Sequence, residues 1–142
     1  MSKNPFLKAS EWGWQIDHQG IRYTMNDLYS HYNLPLVVTE NGIGVVESLD
    51  NNNEIHDDYR IDYLSQHINE MSKAINEDVV EVLGYTLWIP IDVISHGTSE
   101  MSKRYGLIYV DQDDLGQGTK KRFKKDSFYW YQKLIKSNGE NV

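Results

Sequence analysis

Apolar positions recur along this chain with two periods, and the alternation between them marks out its elements. Ile21, Met25, Leu28 and Tyr32 are spaced as one helix face, with Asp17 placed to cap the start and His31-Tyr32-Asn33 closing the segment. Ile61, Leu64, Ile68, Met71 and Ile75 form an unbroken three-four stripe behind Asp57 or Asp58. Phe128, Tyr131, Leu134 and Ile135 predict a third helix, capped at Asp126 or Ser127 and ended by Gly139 at the C′ position. Between these stripes lie continuous apolar runs. Leu34-Pro35-Leu36-Val37-Val38 predicts a strand over Leu36 to Thr39, and Val79 to Trp88 predicts another that ends at Pro90. Runs without alternation suit strands buried on both faces. Residues Ser48 to Asp57 and Ser95 to Ser102 are polar and loop-forming. A short run, Leu107 to Val110, and the turn Asp113 to Gly118 make a small hairpin.

The order is helix, strand, helix, strand, hairpin, helix. Buried strands alternating with amphipathic helices form βα units around a parallel sheet, so the fold class is α/β. Two parallel strands cannot cover their own faces. The chain therefore reads as part of a (β/α)8 TIM barrel: the last two βα units, the helix before them and a small β-hairpin. Whole barrels need about 250 residues, and this chain has 142.

Composition narrows the partners. The chain is 39% hydrophobic and 25% charged, which fits one soluble globular unit. No run of about 18 apolar residues predicts a membrane span, and Met1-Ser2-Lys3-Asn4-Pro5 leads into no secretory apolar region. The absence of cysteine agrees with a reducing cytoplasm. A net charge of −7 argues against nucleic acid and anionic membrane as partners. Lys120-Lys121-Arg122-Phe123-Lys124-Lys125 is locally cationic, and reads as a solvated segment entering the last helix.

Candidate chemistry starts at Thr39-Glu40-Asn41-Gly42, where a buried strand ends on a carboxylate, a carboxamide and a glycine. Such a rim is where barrel enzymes keep their reacting groups. An ordinary strand-to-loop turn explains Glu40 equally well by itself. Leu87-Trp88 ends the next strand and points to the same rim, because consecutive βα units are neighbours. A glutamate beside an indole suits carbohydrate, the ring stacking on the sugar's C–H face and the carboxylate attacking the anomeric carbon. Core packing is the alternative for Trp88. His18, His31, His56, His67 and His96 lack paired metal-ligand spacing, so they read as surface residues and no metal or other cofactor is expected. Asp111 to Arg122 lacks the position-five and position-twelve ligands of a calcium loop and reads as a hairpin turn.

The segment from Trp88 to Gly106, Trp-Ile-Pro-Ile-Asp-Val-Ile-Ser-His-Gly-Thr-Ser-Glu-Met-Ser-Lys-Arg-Tyr-Gly, joins several other motifs in order. They are Ala9-Ser10-Glu11-Trp12-Gly13-Trp14-Gln15-Ile16-Asp17, Thr39-Glu40-Asn41-Gly42, Asp57-Asp58-Tyr59-Arg60-Ile61-Asp62-Tyr63-Leu64 and Lys125-Asp126-Ser127-Phe128-Tyr129-Trp130-Tyr131. Together they resemble the C-terminal part of family-one glycoside hydrolases, with the bacterial 6-phospho-β-glucosidases most alike. The resemblance runs essentially end to end. It implies that Glu40 is the catalytic nucleophile, that Trp88 lines the sugar subsite, and that Ser95, Lys103 and Tyr105 hold a 6-phosphate. Taken alone, Lys103-Arg104-Tyr105 reads as a solvated surface segment. Aligning on Trp88 and Asp92 puts Ser95 where plain β-glucosidases carry a sugar-binding glutamate, which removes a charge that would repel phosphate. His96 stands where phospho-β-galactosidases usually keep tryptophan, so the resemblance favours the gluco side. Ile89 departs from the glycine common there.

One required group is missing. Retaining glycosidases need a second carboxylate about 5–5.5 Å from the first. The family's acid/base lies in Thr-x-Asn-Glu-Pro, and neither Asn53-Glu54, Asn69-Glu70 nor Asn76-Glu77 follows a buried strand. The expectation is a parent enzyme that hydrolyses 6-phospho-β-glucosides in the cytoplasm. This chain would be its incomplete barrel, inactive alone, pairing with an N-terminal fragment or with itself; a non-catalytic vestige is the rival reading.

Overall fold

The computed structural model describes residues 3–140 and 142. The elements are α1 (His18–Tyr32), β1 (Leu36–Val38), β2 (Val45–Val46), α2 (Asp58–Asn76), β3 (Val82–Tyr85), β4 (Lys103–Arg104), β5 (Ile108–Val110), β6 (Arg122–Lys124) and α3 (Asp126–Lys136). Strands β1 and β3 pair in parallel, with Leu36 opposite Val82, Val37 opposite Gly84 and Val38 opposite Tyr85. The helix α2 is the crossover between them, so the expected βαβ unit is present. No described helix is long and apolar enough to cross a membrane.

The two faces of this sheet differ. Leu36, Val38 and Val82 pack beneath α1 and α2 against Met25, Ala74 and Val80. On the other side Val37 is 50% and Leu83 69% exposed. Among the described residues each strand pairs only with the other, so both outer edges are open. A second core, built on Leu64, Ile68, Leu107 and Leu134, joins α2, α3 and the hairpin.

Several expectations need correction. The second strand is confined to Val82–Tyr85, because Val80 closes the end of α2 by donating its N–H to Ala74 O (3.0 Å), with Val79 held at φ +60°. Helix α2 contacts both α1 and α3, so its buried arc is wider than one stripe: His67 and Ala74 are buried while Ile75 lies outside. Asp57 precedes α2 without capping it; its carboxylate instead accepts from Ser127 N (2.9 Å) and Ser127 Oγ (2.6 Å). Asn138, not Gly139, occupies C′ of α3: Asn138 N donates to Ile135 O (3.1 Å) and Gly139 N to Leu134 O (3.0 Å), a Schellman closure. The cationic segment is not simply solvated, since Arg122–Lys124 form β6 against β5 and Lys125 is fully buried. The antiparallel pair β2–β4, Val45 opposite Arg104, has no counterpart in the sequence pattern.

Candidate active site

Glu40 and Trp88 open into one cleft of 620 Å³, above the ends of β1 and β3. Their convergence is built by backbone: Thr86 N donates to Val38 O (2.8 Å) and Trp88 N to Asn41 O (2.9 Å), carrying the strand pairing past its formal end. Thr86 Oγ1 also donates to Thr39 O. Asn41 is locked behind the glutamate, accepting from Tyr85 OH (2.7 Å) and facing Tyr63 OH (3.4 Å). Glu40 itself is exposed to the cleft, and Trp88 is 43% exposed, which settles its side chain as a wall and not a core residue.

Ser95, Lys103 and Tyr105 reach the same cleft from the loop after Trp88, from β4 and from the residue after it. All three are buried, Lys103 to 2% exposure, so Lys103-Arg104-Tyr105 is no solvated segment. The Ser95 and Tyr105 hydroxyls lie 3.1 Å apart. The Lys103 ammonium sits 4.1 Å from the Trp14 ring centre, 4.8 Å from Trp12 and 5.5 Å from Tyr105. Among the described residues it has no hydrogen-bond acceptor and no carboxylate within ion-pair distance. A cation held by π faces keeps its charge available to an incoming anion. Close packing fixes the group from behind: a Cβ at Gly44 would lie 2.8 Å from the Tyr105 ring and 2.9 Å from the Lys103 side chain.

Beneath this site lies a buried ionic scaffold that sequence reading did not identify. Arg60 donates to Asp57 (2.9 Å), Glu47 (2.5 Å), Tyr59 OH (2.7 Å) and the carbonyls of Ile43 (2.8 Å) and Tyr105 (2.7 Å). Lys125 donates to Glu47 (2.5 Å) and Asp92 (3.1 Å), and Asp92 accepts from Gly106 N (2.8 Å). Burial alone would push the Glu47 carboxyl up, but the adjacent Arg60 and Lys125 charges outweigh it and hold the group below its usual range. Arg60 thus ties the loop after Glu40 to Tyr105, the residue that follows β4.

Other candidates fall outside the cleft. Glu54 faces His56, Glu70 pairs with Lys73 (2.6 Å) and Glu77 with Arg22 (2.9 Å), so none is the second carboxylate. Asp50, Glu54 and His56 approach one another, but on the surface, and the Asp50 carboxylate is already used by Asn52 N and Glu54 N (2.8 Å each). His67 is buried and stacks on Tyr63 at 4.0 Å, contrary to its expected surface placement. His96 is exposed and lines the cleft, whereas Ile89 lies behind Trp88 beside Arg60 and Leu64. Trp12 and Trp14 also line the site; the sequence offered them only as part of a motif, and paired aromatics around a tight Gly13 turn were the available signal.

Known proteins are similar to this chain over nearly its whole length. The model of the family described as glycosyl hydrolase family 1 matches residues 1–140. A 6-phospho-β-glucosidase of Dickeya chrysanthemi is 54% identical over 142 residues, covering 100% of this chain and 30% of the relative. An aryl-phospho-β-D-glucosidase of Bacillus subtilis is 55% identical over 140 residues, 99% of this chain and 30% of the relative. The family 1 β-glucosidase structure from Thermotoga maritima superposes with a TM-score of 0.87 at 34% identity, covering 99% of this chain and 30% of that one. The chain thus spans 30% of the length of the curated relatives first matched.

Proposed function

From the premise that this chain belongs to glycosyl hydrolase family 1, we propose that it carries the nucleophile strand and phosphate-binding loop of a retaining 6-phospho-β-glucosidase. In this reading the chain is the last two βα units of the parent barrel. The observation that carries the substrate class is the cluster of Ser95, Lys103 and Tyr105, three buried groups that share one cleft with Glu40 and Trp88. Relatives whose names specify phospho-glucosides support it.

The chemistry follows from the groups. Trp88 offers a face to the sugar ring while Ser95 and Tyr105 donate hydroxyls and Lys103 its charge to the 6-phosphate. The Glu40 carboxylate attacks the anomeric carbon, the aglycone oxygen departs with a proton from a general acid, and water then hydrolyses the glycosyl ester. Glu40 is the only carboxylate among the described lining residues, so the acid must come from outside this chain's cleft. That observation favours the rival reading in which the chain alone is non-catalytic and works, if at all, with an N-terminal barrel fragment. A phosphorylated substrate and a cysteine-free sequence suit the cytoplasm.

The test grafts this segment onto a complete family barrel and assays glucosides with and without the 6-phosphate. Preference for the phosphorylated series is expected. Preference for plain glucosides would overturn the substrate class.

A further inference from the structure

The indole N–H of Trp12 donates to Glu100 Oε2 at 2.9 Å, while the face of the same ring caps the Lys103 ammonium. A tight turn puts it there: Ser10 N donates to Trp14 O and Gly13 N to Ser10 O (2.8 Å each), with Gly13 at φ +74°. That turn directs Trp12 and Trp14 at one cation. Glu100 lies three residues before Lys103, on the loop that carries Ser95, and Ser95 N donates to Glu100 O (2.8 Å). The hydroxyl of Thr98 and the indole of Trp12, then the more distant charge of Lys103, hold the Glu100 carboxyl below its usual range. Glu100 is therefore an anion inside the electrostatic reach of Lys103, yet it makes no ion pair with it.

We propose that Trp12 is a positioning residue for anion recognition: by engaging Glu100 it keeps that carboxylate off Lys103 and leaves the ammonium free for the phosphoryl group of a sugar phosphate. A lysine already neutralised by a neighbouring carboxylate would have to break that pair before binding a dianion. The indole prevents the pair by satisfying Glu100 elsewhere and covering the approach with its ring. The proposal rests on the phospho-sugar reading of the cleft, and adds a residue and a competition that the reading does not contain.

The experiment uses the full chain with glucose 6-phosphate and glucose as probes, followed by calorimetry, together with a crystal structure of the ligand-free Trp12→Phe variant. Phenylalanine keeps an aromatic face and loses the N–H. Trp12→Phe is expected to weaken glucose 6-phosphate binding by about tenfold, the order of one charge-assisted contact, and to leave glucose binding unchanged. Adding Glu100→Gln should restore binding, because the amide cannot neutralise Lys103; a merely structural defect would not be rescued. In the variant crystal the Glu100 carboxylate should lie within 4 Å of Lys103 Nζ. A carboxylate that stays away, or an unrescued loss, overturns the proposal. If Trp12→Phe does not fold, Glu100→Gln alone decides: binding as tight as wild type or tighter supports the competition, and a tenfold loss refutes it. Wild-type chain that binds both probes equally would refute the phospho-sugar reading; the crystal comparison still tests the Trp12–Glu100–Lys103 competition by itself.

Discussion

Replacing Arg60 by methionine is the most direct test of the buried scaffold. Arg60 is 1% exposed and donates to two carboxylates, a phenol and the carbonyls of Ile43, Arg104 and Tyr105. Methionine fills much of the volume and deletes every donor. Glu47 would retain Lys125 and Tyr59, and Asp57 would retain the Ser127 amide and hydroxyl. Both nevertheless lose a neutralising charge in a buried setting, for which the cost is about 3–5 kcal/mol. Against a total stability of about 5–15 kcal/mol this brings the chain near its unfolding threshold. Urea unfolding of dilute chain, followed by tryptophan fluorescence, reads the loss. Adding Glu47→Gln and Asp57→Asn should recover part of it by removing the stranded charges. A loss under about 1 kcal/mol, or no recovery from neutralising the acids, would refute the assignment of Arg60 as the charge-balancing hub.

Three further outcomes are expected. Lys103→Ala in a complete family barrel should raise KM for a phosphorylated glucoside roughly ten- to 150-fold, the equivalent of about 1.5–3 kcal/mol, and equal effects on the unphosphorylated analogue would mark Lys103 as structural. Hydrogen bonding to Asp126, then that carboxylate's field, favours protonated His56 and raises its pKa above 6.5. The folded state thus binds the proton more tightly, so this contribution is complete below pH 6.5 and fades as pH rises through the folded value; His56→Gln should flatten that part of a stability–pH curve. The isolated chain should show no ordinary turnover of a 6-phospho-β-glucoside, since general-acid help is worth about 10²–10⁴-fold, and should self-associate in sedimentation through the open edges of β1 and β3; a monodisperse, active monomer would contradict this.

The helices were legible because their stripes are long, and β1 because an apolar run ends abruptly at Thr39-Glu40. Glu40 and Trp88 were brought together by topology alone. What escaped reading has common physical causes. Strands β2 and β4 are two residues each, too short for any period to register. Lys125, Arg60 and Glu47 look solvated because isolated charges usually are, and their burial depends on partners far along the chain. His67 was misplaced for a similar reason: α2 is covered from two sides, so its buried arc exceeds the apolar stripe. The cage around Lys103 could not be seen at all without knowing that the turn at Gly13 folds back onto β4.

The pairing of β2 with β4 carries a kinetic consequence. Helix α2 and strand β3 lie in sequence between Val45 and its partner Arg104. The nucleophile's strand reaches its neighbour from Val38 to Tyr85, and the anion-binding pair closes from Val45 to Arg104, a span only modestly longer. Helix α2 lies inside both loops and shortens both paths when it forms, and closure entropy, which grows only slowly with length, separates the two little. A mutation that stabilises α2 early should therefore hasten the βαβ unit and the arrival of Lys103 together, whereas the ties from Glu47 to Lys125 and from Asp57 to Ser127 must close longer spans still.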